Sequence, residues 1–119
     1  GASCSRELLE RVHSKRWPLY LTYGQTEMAA QVTSTKVNEY MQGHAGKVLP
    51  YRQMTISPTG QILLKGEGRF YGQYREGRLL RPFDEQGHYW TQDLGEVDQE
   101  GNLTERSGLH IGGRKCRSR

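Results

Sequence analysis

Several features that would identify common protein classes are missing from this 119-residue chain. It opens Gly1-Ala2-Ser3, with no initiator methionine, and no signal peptide is expected from it. No apolar run approaches the roughly 20 residues that a membrane-spanning helix requires. It has only two cysteines, Cys4 and Cys116, which form neither a disulfide framework nor a metal-binding pair, so a reducing cytoplasm is the expected compartment. His13, His44, His88 and His110 lack ligand spacing and read as surface or packing histidines. No Ser/His/Asp or Cys/His arrangement points to a hydrolase. Hydrophobic residues make up 34% of the chain and mean hydropathy is −0.85, which is low for an independent globule. Tyr, Leu and Val nevertheless recur throughout, which argues against disorder. The length suits one domain at most.

The body also lacks a charge excess. The net charge is +4, but Arg114, Lys115, Arg117 and Arg119 crowd the last six residues. Setting them aside leaves thirteen bases against thirteen acids. A neutral body with a basic tail is a poor nucleic-acid groove, which needs its cations on one folded face. The expected partners therefore include no nucleic acid, and no membrane span is expected.

The elements that are present begin with SRELLERVHSKR over residues 5–16, which reads as a short helix. Leu8, Leu9 and Val12 form its apolar stripe, Ser3 or Ser5 can cap it, and Pro18 stops it. Residues 19–22 read as a buried strand, followed by a turn at Gly24. Glu27–Thr33 either begins a helix or stays irregular, and 34–47 reads as loop. Arg52–Ile56 and Gln61–Lys65 flank the turn-forming Ser57-Pro58-Thr59-Gly60 and read as a hairpin. A second hairpin is expected at Leu94–Val97 and Asn102–Glu105, turning through Asp98-Gln99-Glu100-Gly101. Between the hairpins, Gly66, Gly68, Gly72 and Gly77 punctuate short strands. The aromatic group at 70–74 (Phe70, Tyr71, Tyr74) is either a stacking platform or β packing.

Two clusters carry chemistry. In Tyr23-Gly24-Gln25-Thr26-Glu27, the glycine allows a ligand to approach the backbone. The threonine hydroxyl can donate to a phosphate oxygen, and the glutamate can hold Mg²⁺. In Trp90-Thr91-Gln92-Asp93-Leu94-Gly95, an aspartate at a strand edge can accept from a ribose diol. Taken singly, each is equally an ordinary turn with a surface acid.

Order and company raise their weight. The first cluster is followed by Gly43-x-x-Gly46-x-x-Leu49-Pro50, then Gly60-Gln61-Ile62-Leu63-Leu64-Lys65-Gly66, then Gly72-Gln73-Tyr74, then the Trp-Thr-x-Asp-Leu-Gly run and Gly101-Asn102-Leu103. From Gly1 to about Thr104 this resembles the adenylate-forming superfamily of acyl-CoA synthetases, luciferases and peptide-synthetase adenylation domains. Leu21-Thr22-Tyr23-Gly24-Gln25-Thr26-Glu27-Met28-Ala29-Ala30 is most similar to the o-succinylbenzoate–CoA ligase branch.

The resemblance implies an α+β fold. Residues 1–35 would close an α/β core, 36–106 would form a small, mostly antiparallel β-barrel-like subdomain, and 107–119 would be a basic tail. It implies an ATP-dependent carboxylate–CoA ligase that uses Mg²⁺ and takes coenzyme A as co-substrate, with a small-molecule carboxylate activated through an acyl-adenylate. Residue by residue, Tyr23 would lie against the adenine, Gly24 would belong to the nucleotide-binding site, and Gly1 and Ala2 would lie beside adenine and acyl group. Thr26 would contact the α-phosphate, Glu27 would bind Mg²⁺, and Asp93 would hold the ribose hydroxyls. Met28 and Ala29 would approach the acyl pocket. Gln92 stands where the family usually has glycine. Fatty-acyl or aryl-CoA ligases are the nearest alternative, and a non-catalytic basic binding protein is the alternative from another class.

The resemblance also implies missing parts. The phosphate loop expected upstream and the lysine-bearing domain expected downstream are not in this sequence, so the chain is expected to be an inactive fragment, poorly soluble alone. After Thr104 the family pattern breaks. With one choice of codons, Leu109–Arg119 read one base later spells a segment like the family's interdomain Gly-Gly-Glu-Asn region. A frameshift, a cloning tail or a divergent terminus are the readings of that tail.

Overall fold

The computed structural model describes residues 4–106. The expectations for Gly1, Ala2 and the 107–119 tail lie outside the described residues. One helix, α1 (Arg6–Ser14), precedes nine strands: β1 (Thr22–Gln25), β2 (Ala30–Ser34), β3 (Lys47–Val48), β4 (Arg52–Ile56), β5 (Gln61–Gly66), β6 (Gln73–Arg75), β7 (Arg78–Leu80), β8 (Tyr89–Val97) and β9 (Leu103–Arg106). They form three antiparallel sheets, ordered β1-β2-β3, β4-β5-β8-β9 and β6-β7. The α+β expectation holds.

Ser5 is the helix cap, its hydroxyl accepting from the Leu8 amide at 3.2 Å. The apolar stripe has little to cover it. Leu9 and Val12 are half-buried, and Leu8 is exposed.

Several sequence expectations need correction here. The strand predicted over 19–22 begins only at Thr22, and Gly24 lies inside it rather than in a turn. The reason is pairing: Tyr23 faces Thr33 and Gly24 faces Gln31, so Val32 is an extra residue bulged out of β2. Glu27–Thr33 takes neither predicted form. A single 3-10 turn, Thr26–Met28, stops where Ala29 and Ala30 adopt positive φ (52° and 86°), and β2 then starts. The stretch predicted as loop includes a second 3-10 turn at Tyr40–Gln42 and strand β3 at its end. Tyr40 is 1% exposed, its ring meeting His13 edge-on at 6.1 Å.

Both predicted hairpins are present. In the β4–β5 turn the Gly60 amide donates to the Ser57 carbonyl at 2.9 Å. In the β8–β9 turn Asp98 Oδ1 accepts from the Glu100 and Asn102 amides, each at 2.9 Å, while Gly101 supplies the positive φ (88°) that closes the loop.

The core joins the first two sheets. Tyr23, Met28 and Val32 pack with Ile62, Leu64 and Leu103, and Ala45, Met54 and Ile56 close the periphery. Two backbone bonds tie the loop before β3 to β9: Ala45 N to Leu103 O at 2.8 Å, and Leu103 N to Gly46 O at 2.9 Å. The aromatic group splits. Phe70 packs edge-on between Phe83 and Tyr89, at 5.3 Å from each, while Tyr71 and Tyr74 are exposed. The Arg81 guanidinium lies 4.5 Å from the Tyr71 ring centre.

Candidate functional site

A polar cleft of about 620 Å³ opens where β1 meets β8. Tyr23, Gly24, Gln25, Thr26 and Glu27 line one side, and Tyr89, Gln92 and Asp93 line the other. The two motifs, some seventy positions apart in sequence, therefore share one cavity.

Each wall is fixed by local structure. The Thr91 hydroxyl, 1% exposed, donates to the Ile62 carbonyl at 2.7 Å and accepts from the Asp93 amide at 3.2 Å. Thr91 thus stitches β8 to β5 and sets the backbone from which Asp93 projects. On the other wall, the Glu27 carbonyl accepts from the Phe70 amide at 2.7 Å, which anchors the 3-10 turn carrying Thr26 and Glu27.

The walls also bond to each other. The Tyr23 hydroxyl donates to Asp93 Oδ2 at 2.9 Å. The Gln25 amide nitrogen donates both to the Tyr23 hydroxyl, at 2.7 Å, and to the same Asp93 oxygen. Burial pushes the Tyr23 phenol far above its usual range, and the Asp93 charge adds to the effect. Burial also raises the Tyr89 phenol, with the charges of Glu27 and Asp93 contributing.

Tyr23, Gly24, Thr26, Glu27 and Asp93 therefore come together as one site. Met28 and Ala29 stand apart from its lining. Met28 is wholly buried in the core, and exposed Ala29 packs near Gly68. Five lining residues, Thr22, Gln73, Arg75, Tyr89 and Glu105, lie outside both clusters. Gln25 was inside a motif but without a role. Its signal is strand alternation, which puts residues 23 and 25 on the same face of β1.

Among the described residues, no three His, Cys, Asp or Glu side chains gather into a metal cage. A carboxylate such as Glu27 in an open polar cleft suits Mg²⁺, which is commonly held by one or two carboxylates together with substrate phosphates and water. No helix among the described residues is long and apolar enough to cross a membrane.

No protein-family model matches the chain. Individual relatives do. A 2-succinylbenzoate–CoA ligase from Bacillus cereus is 32% identical over 95% of this chain and 26% of its own length. A long-chain-fatty-acid–CoA ligase from Mycobacterium bovis is 32% identical over 72% of this chain and 14% of its own. Among solved structures, the o-succinylbenzoate CoA synthetase of Bacillus subtilis in complex with ATP and magnesium ion superposes with a TM-score of 0.73. That match is 29% identical and covers 88% of this chain and 24% of that one. The same enzyme with the acyl-adenylate intermediate OSB-AMP gives 0.75 at the same identity and coverage. The chain spans about a quarter of the length of the curated 2-succinylbenzoate–CoA ligases that it matches. Over that quarter, it belongs to the adenylate-forming superfamily, in the company of the 2-succinylbenzoate–CoA ligases.

Proposed function

We propose that this chain carries the nucleotide-holding wall of an ATP-dependent carboxylate–CoA ligase, with a 2-succinylbenzoate-like aromatic carboxylate as substrate. The supporting observation is the convergence of Thr26, Glu27 and Asp93 on one polar cleft. In this reading Asp93 accepts from the ribose hydroxyls, and the Tyr23 side chain borders the adenine while its hydroxyl holds Asp93. The Thr26 hydroxyl donates to an α-phosphate oxygen. The Glu27 carboxylate would hold Mg²⁺, and the bound ion would supply neutralisation of phosphate charge. Such chemistry depends on positioning and charge stabilisation rather than on a protein nucleophile. The acyl-adenylate so formed would pass its acyl group to coenzyme A in the complete enzyme.

The body's balanced charge and the acidic cleft favour this reading over that of a basic binding protein. The fatty-acid ligase relative keeps a second reading open, in which the carboxylate is a fatty acid.

The test uses the full-length protein that carries this sequence. Pyrophosphate release with ATP, Mg²⁺ and 2-succinylbenzoate should exceed that with palmitate. It should fall by two orders of magnitude or more in Glu27→Ala and Asp93→Ala. Undiminished turnover in both variants would sink the site assignment, and preference for palmitate would sink the substrate assignment.

A further inference from the structure

The cleft holds a polar side chain to which neither motif assigns a task. Gln25 leaves β1 between Tyr23 and the Thr26 turn, and its amide reaches across the cleft floor to Asp93. A carboxylate only accepts hydrogen bonds, so the amide nitrogen must be the group that faces it. That nitrogen donates to both the Tyr23 hydroxyl and Asp93 Oδ2. The Tyr23 hydroxyl in turn donates to the same Oδ2.

The result is a closed triangle on a single carboxylate oxygen. Among the described residues, both side-chain hydrogen bonds to the Asp93 carboxylate fall on Oδ2. Oδ1 is left as the acceptor for anything that enters the cleft. Holding one oxygen from two directions also removes the rotational freedom of the carboxyl group, which a ligand would otherwise have to freeze on binding. Hydrogen bonds to a carboxylate are among the stronger ones available, and here they lie on a partly covered floor.

We propose that Gln25 is a positioning residue that, with Tyr23, pins Asp93 Oδ2 and so presents Oδ1 to the vicinal diol of a nucleoside. This rests on the reading of Asp93 as the ribose-binding acid, and it adds the residue that makes Asp93 selective for a diol. Gln25 touches no substrate; it acts through Asp93.

The experiment compares AMP with 2′,3′-dideoxy-AMP on the full-length protein by calorimetry. The readout is the ratio of the two affinities, alongside the side-chain amide signal of Gln25 in nitrogen–proton NMR spectra. In wild type, AMP should bind at least tenfold tighter than the dideoxy analogue, and the Gln25 amide protons should exchange slowly. Asp93→Ala should abolish that protection. Gln25→Met keeps length and packing but removes the donor, and should bring the ratio close to one. Gln25→Lys keeps a donor and should retain most of the ratio. A Met variant with the wild-type ratio overturns the proposal, as does a Gln25 amide indifferent to Asp93→Ala. A wild type that binds both nucleotides equally overturns the ribose role of Asp93, and the role of Gln25 falls with it. The NMR arm then reports separately whether the Gln25–Asp93 bond exists.

Discussion

Gly24 and Ala30 share a space that no side chain can enter. A Cβ built on Gly24 would stand 1.7 Å from the Ala30 carbonyl oxygen and 2.6 Å from its carbonyl carbon, which is overlap with backbone rather than with a movable side chain. The contact lies beside the register shift at Val32, where β1 and β2 pair next to the cleft. Gly24→Ala should therefore spring the β1–β2 pair apart. Overpacking of this kind costs about 3 kcal/mol or more where backbone must move. Urea unfolding checks it, and a midpoint unchanged from wild type would mean the pair can open freely.

The core makes a second prediction. Leu103 is fully buried, and its backbone bonds on both sides to the loop before β3. Leu103→Ala removes packing at the junction of two sheets and should cost about 2–5 kcal/mol. Val97→Ala, at the 41%-exposed residue that pairs with Leu103 at the end of β8, should cost under about 1 kcal/mol. Thermal melts of the pair would expose an error if the two losses were equal.

These two sites show what the sequence could and could not convey. The hairpins at Ser57–Gly60 and Asp98–Gly101 were legible because the turn chemistry is local: an Asp oxygen caps amides two and four residues on, and a glycine takes positive φ. Gly24 was misread as a turn because its constraint comes from Ala30 across a ladder, which no local pattern reports. Tyr40 was missed for the same reason, since its burial depends on packing against α1, half a core away in sequence. In the cleft, motif residues were readable through resemblance, whereas Tyr89, Arg75 and Glu105 arrive by tertiary placement alone.

The third prediction concerns acid. The Asp84 carboxyl is held down to about 2, chiefly by the Trp90 indole donating to Oδ2 at 2.9 Å, with the His88 backbone amide and side chain adding to the effect. A depressed carboxyl contributes stability above its unfolded value near 4, and that contribution is lost as pH falls toward 2. Wild type should therefore lose stability across that window more steeply than Asp84→Asn. Trp90 fluorescence during acid titration follows the same bond. Parallel acid limbs for the two proteins would show that the Asp84 turn is not linked to folding.

The last prediction runs in the opposite pH direction. Tyr23 is 5% exposed, and its hydroxyl lies against the Asp93 carboxylate, so burial and that charge both oppose ionisation. The unfolded chain, with an ordinary phenol near 10, gives up this proton first. Above about pH 10 the unfolded state therefore binds fewer protons than the folded one, and stability must fall as pH rises. Below pH 10 the group is protonated in both states and its contribution is constant. Tyr23→Phe removes this dependence but also removes a hydrogen bond to a charged group, worth about 1.5–3 kcal/mol. The variant should be less stable than wild type at pH 7, and the gap should narrow as pH climbs past 10. Denaturation midpoints at pH 7, 9, 10 and 11 decide it. A constant gap would show that the Tyr23 phenol titrates alike in the folded and unfolded chain, and that the triangle of Tyr23, Gln25 and Asp93 does not shield it.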